Sequence, residues 1–182
     1  MVCLEKLDRS DFEEVYRIME QSFPADERRK KEGQQKLLDE EKYELLGVRN
    51  EGGLLAFLAV WEFAEFVFIE HFAVSEKARN SGIGGKMLEE LARQKAGKVV
   101  LEVELPEDSL KKRRIGFYER HGFTFNEYPY IQPPMGEDRH EIPCGSCQHR
   151  NRFQRMSFRA CAQNYTKVFI IMYVRNDKLY FL

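Results

Sequence analysis

Residues 66 to 86 restrict the possible folds of this chain more than any other stretch. Phe66-Val-Phe-Ile-Glu70-His71-Phe72-Ala73-Val74 is an apolar run rich in β-branched and aromatic residues, the pattern of a buried strand. A short polar connection follows, and then Arg79-Asn80-Ser81-Gly82-Ile83-Gly84-Gly85-Lys86, which opens a stretch with Ile83, Met87, Leu88, Leu91 and Ala92 on one helical stripe. Glycines at a helix start let a bulky anion approach backbone N–H groups that the helix dipole already makes attractive to negative charge. The segment therefore reads as strand, anion-binding turn and helix. The ligand it suggests carries a pyrophosphate, and Glu70 on the strand is placed to do chemistry beside it.

The rest of the composition excludes more than it specifies. The 182 residues suffice for one domain with a sizeable core, or for one domain and an extension. A net charge of −1 gives no overall field to recruit nucleic acid or an anionic membrane. No apolar run approaches the roughly 20 residues of a membrane span, and the opening Met-Val-Cys-Leu-Glu-Lys lacks the layout of a signal peptide. Cys3, Cys144, Cys147 and Cys161 are too sparse for a disulfide framework, so the expected location is the cytoplasm.

Periodicity gives the order of elements. Residues 2 to 7 read as a short strand. Ser10 to Glu13 reads as a capping box before a helix with Phe12, Val15, Met19 and Phe23 on one face, stopped by Pro24. A polar helix is expected from about Ala25 to Glu40. Tyr43 to Val48 and Leu54 to Trp61 read as strands around the turn Asn50 to Gly53. After the glycine turn the helix is closed by Gly97. Lys98 to Leu105 is a strand with Val99, Leu101 and Val103 on one face and Glu102 and Glu104 on the other. Leu110 to His121 is a basic helix, and Phe123 begins another strand. The order β-α-α-β-β-β-α-β-α-β predicts an α/β (α+β) fold: a mixed, mostly antiparallel, twisted sheet of six to seven strands with helices on both faces.

On these residues the chain resembles the GNAT superfamily of acetyl-CoA-dependent N-acetyltransferases. The resemblance rests on Arg79, Gly82 and Gly84 as an R-x-x-G-x-G turn after an aliphatic strand, and on Phe117-Tyr118-Glu-Arg-His121-Gly-Phe123 some 35 residues later. It covers residues 1 to about 135. It implies acetyl-CoA as co-substrate, with the pantetheine arm along Phe72, Ala73 and Val74. It places the pyrophosphate on Arg79, Asn80, Ser81, Gly82, Ile83 and Gly84, with Gly85 and Lys86 at the helix start. It also implies two strands splayed apart to admit an acceptor amine. Lys111 to Arg114 stand where many relatives carry an asparagine.

An amine with a pKa near 10 is protonated at neutral pH and needs a base before it can attack a thioester. Glu70, a charge on an apolar strand, is the expected base, with an exposed position on the strand's wet face or a structural salt bridge as the alternatives. A strand N–H would hold the oxyanion, and Tyr118, which the resemblance matches to the usual acid, would protonate the departing thiolate. No cysteine lies near these motifs, so direct transfer is expected rather than an acyl-enzyme. His71 is expected to point to the opposite face from Glu70. Glu104 reads as a solvated strand face or as a lining of the acceptor gap. Glu27, Arg28 and Arg29 read as a solvated charge run or as substrate contacts.

The last 40 residues do not continue this pattern. A sheet-closing apolar strand, a proline-rich turn and a terminal helix are expected after Pro134, whereas the run from Cys144 to Met156 has no periodicity. Codons compatible with this tail, read from their third base, permit the absent strand, turn and helix, so the division is read as 1–142, a GNAT domain, and 143–182, an atypical tail produced by a frameshift or forming substitute terminal strands over Thr166 to Val174 and Asp177 to Leu182. His140, Cys144, Cys147 and His149 offer zinc-type ligands without a standard finger spacing, and no metal is expected. The functional reading is transfer of an acetyl group from acetyl-CoA to a small-molecule or peptide primary amine, by a monomer or homodimer without nucleic-acid or membrane partners. A non-catalytic acetyl-CoA-binding module and an enzyme impaired by its altered C-terminus stand as the alternatives.

Overall fold

The structure, a computed structural model, describes residues 2–64, 66–96, 99–132 and 142–149, together with strand segments at 156–158, 171–175 and 178–180. Seven strands form the main sheet: β1 (Glu5–Lys6), β2 (Tyr43–Asn50), β3 (Gly53–Glu62), β4 (Val67–Val74), β5 (Val99–Glu104), β6 (Phe123–Gln132) and β7 (Ile142–His149). Their order is β1-β2-β3-β4-β5-β7-β6, and every neighbouring pair is antiparallel except β4 and β5. Among the described residues four α-helices accompany them: α1 (Phe12–Ser22), α2 (Lys31–Lys36), α3 (Ile83–Gln94) and α4 (Ser109–Arg120). The expected mixed sheet with helices on both faces is present.

Alternation along the strands divides the core in two. Phe57, Ala59 and Trp61 of β3 face one side and pack with Phe12, Val15 and Met19 of α1. Leu58 and Val60 face the other side and pack with Met87, Leu88 and Leu91 of α3 and with Ile115 and Tyr118 of α4. Each large apolar side chain fully buried in such a core contributes about 1.5–3 kcal/mol, so the sheet is anchored from both faces. None of the helices in the described residues is long and apolar enough to cross a membrane.

Several local expectations need correcting. Asp8 and Asp11, not Ser10 and Glu13, form the box before α1. The Asp8 carboxylate accepts from the N–H of Ser10 at 2.6 Å, and the Asp11 carboxylate accepts from the N–H of Asp8 at 2.9 Å. Glu13 is instead turned outward to Lys31. The first strand is only two residues long. The single polar helix expected over 25–40 is broken into a turn at Ala25–Glu27, α2, and a turn at Leu37–Asp39. Arg28 is extended, with φ −140° and ψ 153°. That break turns Arg29 inward, where it is 6% exposed.

In the tail, β7 lies between β5 and β6, pairing Leu101 with Cys147 on one side and Phe125 with Cys147 on the other. Ladder pairing is a backbone property, so a segment without apolar alternation can supply the strand. Cys147 is wholly buried, and burial pushes its thiol up to about 12. Beyond it, β8 (Met156–Phe158), β9 (Ile171–Arg175) and β10 (Lys178–Tyr180) form a small antiparallel sheet in the order β10-β9-β8. His140 of the zinc-type group, the stretch 133–141, and 159–170 with the start of the expected Thr166 strand lie outside the described residues.

Candidate acetyl-transfer site

β4 and β5 stay together for only three residue pairs, Val67 to Ile69 with Val99 to Leu101. The cause is visible in β4. Its register against β3 shifts between Ala59 and Val60, so Glu70 opposes no residue of its own and forms a bulge. The bulge also resets the alternation of side chains. Phe68 belongs to the α1 core and Ile69 to the α3–α4 core, but Ala73 is back in the α1 core while Phe72 and Val74 pack with the other. Glu70 and His71 consecutively face the α1 side, so the expectation that they point to opposite faces is corrected. Beyond the bulge the two strands separate around a cleft of about 650 Å³. Residues 69–74 line one wall and 101–104 the other, with Glu27, Leu110 and Tyr118 around them.

Glu70 lies in this cleft, but its carboxylate is fully engaged. Arg29 donates to it twice, from Nη1 to Oε2 at 2.8 Å and from Nη2 to Oε1 at 2.6 Å, with side-chain exposures of 7% and 1%. Burial alone would push the carboxyl up; the Arg29 guanidinium, with His71 beside it, outweighs it and holds Glu70 well below the ordinary carboxylate range. The network continues inward, from Arg29 to Gln34 at 3.3 Å and from Gln34 to the Tyr43 hydroxyl at 2.6 Å. A carboxylate with both oxygens bonded to a guanidinium and a depressed pKa is a poor proton acceptor.

His71 is 2% exposed, and its Nε2 donates to the carbonyl of Glu27 at 2.8 Å. Its Nδ1 stands 3.6 Å from Glu70, too far for a hydrogen bond, and has no hydrogen-bond partner among the described residues. Glu27 itself is half-buried at the cleft. Burial first, and then the Glu104 carboxylate across the gap, push its carboxyl up from the ordinary value. Glu104 also lines the cleft and is paired with Lys111 at 3.1 Å and Arg114 at 2.6 Å. Tyr118 is 9% exposed, with its ring edge-on to Phe117 and Phe123. Burial first, and then Cys147, push its hydroxyl above the usual phenol value, so it stays protonated.

The glycine turn has the geometry of an anion seat. Gly82 is left-handed, with φ 77°, and as N-cap of α3 supplies no side chain. The Ser81 hydroxyl accepts from the Ile83 N–H at 3.4 Å, and the N–H groups of Gly84 and Gly85 point out of the helix start without an intrahelical acceptor. Asn80 is left-handed as well, with φ 62°. Gly84 and Gly85 have a packing reason that the sequence does not reveal. A Cβ at Gly84 would stand 3.1 Å from Phe72 and 3.2 Å from Val74, and one at Gly85 would overlap the His121 ring. The glycines thus seat α3 directly on β4 and α4, bringing its N-terminus to the residues expected to hold pantetheine.

A splayed strand pair beside a bulge, with a glycine-led helix N-terminus next to it, defines an acyl-CoA N-acyltransferase architecture. The comparisons agree. A family model described as Acetyltransferase (GNAT) domain matches residues 41–125. A Bacteroides thetaiotaomicron protein assigned to the GNAT family is 34% identical, with a TM-score of 0.74 over 83% of this chain and 88% of its own. The Bacillus subtilis (strain 168) protein YjbC, which carries an acetyltransferase name, is 31% identical over 110 residues, 59% of this chain and 55% of its own length. This chain thus spans about half of that curated relative. The fold is also that of Arabidopsis thaliana NAA60 solved with acetyl-CoA, at 17% identity and TM-score 0.61, covering 81% of this chain and 97% of that one. The chain belongs to the GNAT family.

The sequence offers Glu27 and Arg29 as substrate contacts or a solvated charge run; neither a half-buried carboxyl at the cleft nor an ion pair of Arg29 with Glu70 is among those readings. Both sit in a charge run on a polar stretch, which ordinarily means solvent. The available signal was the other partner: a lone Glu70 in an apolar strand needs a cation.

Proposed function

We propose that this chain is an acetyl-CoA-dependent N-acetyltransferase acting on a primary amine, with Glu27 rather than Glu70 as the base. The observation that carries the reading is the cleft at the Glu70 bulge, where a half-buried carboxylate of raised pKa, a protonated tyrosine and a free strand edge converge. An acyl-CoA would lie with its pyrophosphate on the turn from Arg79 to Gly84 and the N–H of Gly85, with Lys86 beside them at the helix start, and its pantetheine along Phe72 to Val74. The left-handed Gly82 and the first-turn N–H groups of Gly84 and Gly85 support that placement, as does the acetyl-CoA bound in the NAA60 structure.

Glu27 attracts the ammonium form of the acceptor and takes its proton, directly or through one water. Its raised pKa makes it a better base than an ordinary carboxylate. The freed nitrogen attacks the thioester carbon, and a backbone N–H of the bulge offers the oxyanion a donor already in place. Collapse breaks the carbon–sulfur bond, and Tyr118 gives its proton to the departing thiolate. The products are the amide and coenzyme A. The proton taken by Glu27 passes to solvent, and the surplus proton that the nitrogen sheds as the adduct collapses to the amide restores Tyr118.

The test is thiol release from acetyl-CoA across polyamines, amino acids, aminoglycosides and peptides with free N-termini. Turnover with at least one amine, lost in Glu27→Gln and lowered in Tyr118→Phe, is expected. Absence of release with every amine overturns the reading.

A further inference from the structure

Two consecutive side chains of β4 grip one short segment of the acceptor wall from opposite ends. His71 donates to the carbonyl of Glu27 at 2.8 Å, and Glu70 receives both arms of Arg29. Between them, Arg28 is extended and donates to the hydroxyl of Tyr16 at 3.0 Å, while that hydroxyl donates to the carbonyl of Arg29 at 3.2 Å. No regular secondary structure spans 28–30, so these side chains do the work that a helix would otherwise do. The grip exists because of the bulge. Without the extra residue in β4, Glu70 and His71 would fall on opposite faces and only one could reach the segment.

We infer that Arg29 is a positioning residue: through Glu70 it locks the 27–29 segment to the bulge of β4, fixing the Glu27 carboxylate over the point where the thioester would lie. The inference rests on the acetyltransferase reading above. Arg29 touches neither substrate in this account. It holds the base and the oxyanion-binding backbone in one rigid body, and misplacing a reacting group by about 1 Å can cost 10²-fold in rate. A buried ion pair serving only to hold the fold would act differently. Its replacement by a matched neutral pair would leave the chemistry unchanged, since such pairs are often replaceable without loss of stability.

The test uses the whole chain, with Arg29→Lys and the double variant Arg29→Gln/Glu70→Gln. Lysine keeps the charge balance but cannot make the two-point contact, and the double variant removes both buried charges together. Both are expected to bind acetyl-CoA within about twofold of the unsubstituted chain, because the glycine turn and the strand edge are untouched. The expected signature is a kcat for the amine lowered about tenfold or more, with amides of 25–30 exchanging faster and those of β3 unchanged. Unsubstituted protection of 25–30 together with unsubstituted kcat, in either variant, overturns the inference. If the unsubstituted chain acetylates no amine, the proposed activity fails instead, and exchange over 25–30 alone decides whether Arg29 locks the segment.

Discussion

The imidazole of His121 occupies the space that a side chain on Gly85 would need. This ring, at the end of α4, sets how closely α3 can approach, and its Nδ1 is held 2.9 Å from Glu89 of α3. Gly85→Ala must therefore push α3 outward or swing the ring away from Glu89. Either response should lower stability by about 1–3 kcal/mol, the usual cost of overpacking. Adding His121→Ala should recover most of that loss. Gly82→Ala makes a useful contrast, because its Cβ would meet no atom within 4 Å and only the left-handed backbone is strained. Its cost should be about 1–2 kcal/mol, with no rescue by His121→Ala. Denaturant midpoints of the four variants check this.

Much of this architecture was legible before the structure. Alternation in β3 and β5, the stripe of α3 and the glycine turn are local patterns, and each element lies within a few residues of its expected place. The bulge at Glu70 was not legible, because nothing in Phe-Ile-Glu-His-Phe marks an extra residue; only pairing against β3 reveals it. The same holds for the partnership of Arg29 with Glu70, residues 41 apart in the chain. The segment 25–40 failed as a helix for a tertiary reason: burial of Arg29 requires extended backbone at Arg28, which local propensity cannot anticipate. Glu70 was correctly singled out as a charge needing a reason. The reason in the structure is a guanidinium.

Removing one member of that pair should be far more costly than removing both. Glu70→Gln leaves the buried Arg29 without a counter-charge, and such a loss typically costs about 3–5 kcal/mol. The pH dependence has a definite sign. The folded pKa of Glu70 lies well below its unfolded value, so its contribution is present above the ordinary carboxylate range and is lost as pH falls through the depressed folded value. Melting temperatures between pH 7 and pH 3 should fall more steeply for the unsubstituted chain than for the double glutamine variant. Parallel curves would remove Glu70 as a source of acid sensitivity.

Tyr118→Phe separates a proton donor from a packing aromatic. The ring is edge-on to Phe117 and Phe123, and phenylalanine preserves those contacts, so the melting temperature should change little. If the hydroxyl protonates the thiolate, kcat should fall by about 10²-fold or more, within the usual range for general acids, while KM for acetyl-CoA stays near its original value. A thioester whose thiol leaves without help should narrow the difference between variant and unsubstituted chain. An unchanged kcat would assign Tyr118 to packing alone.

The base is best identified by moving its pKa without touching it. Burial and then the Glu104 carboxylate raise Glu27, so its proton-accepting form is lost as pH falls through a value above the roughly 4.3 of a free glutamate. The acid limb of kcat/KM should sit at that elevated value and vanish in Glu27→Gln, with an activity loss of about 10²–10⁴-fold. Glu104→Gln removes the like charge and releases Lys111 and Arg114 from their partner. Both changes favour the ionised form of Glu27, so the limb must move to lower pH. A limb that stays in place in Glu104→Gln, or that survives in Glu27→Gln, would assign the titration to another group in the cleft. The direction of the shift also distinguishes Glu27 from Glu70, whose depressed pKa would place any limb below the ordinary carboxylate range from the outset.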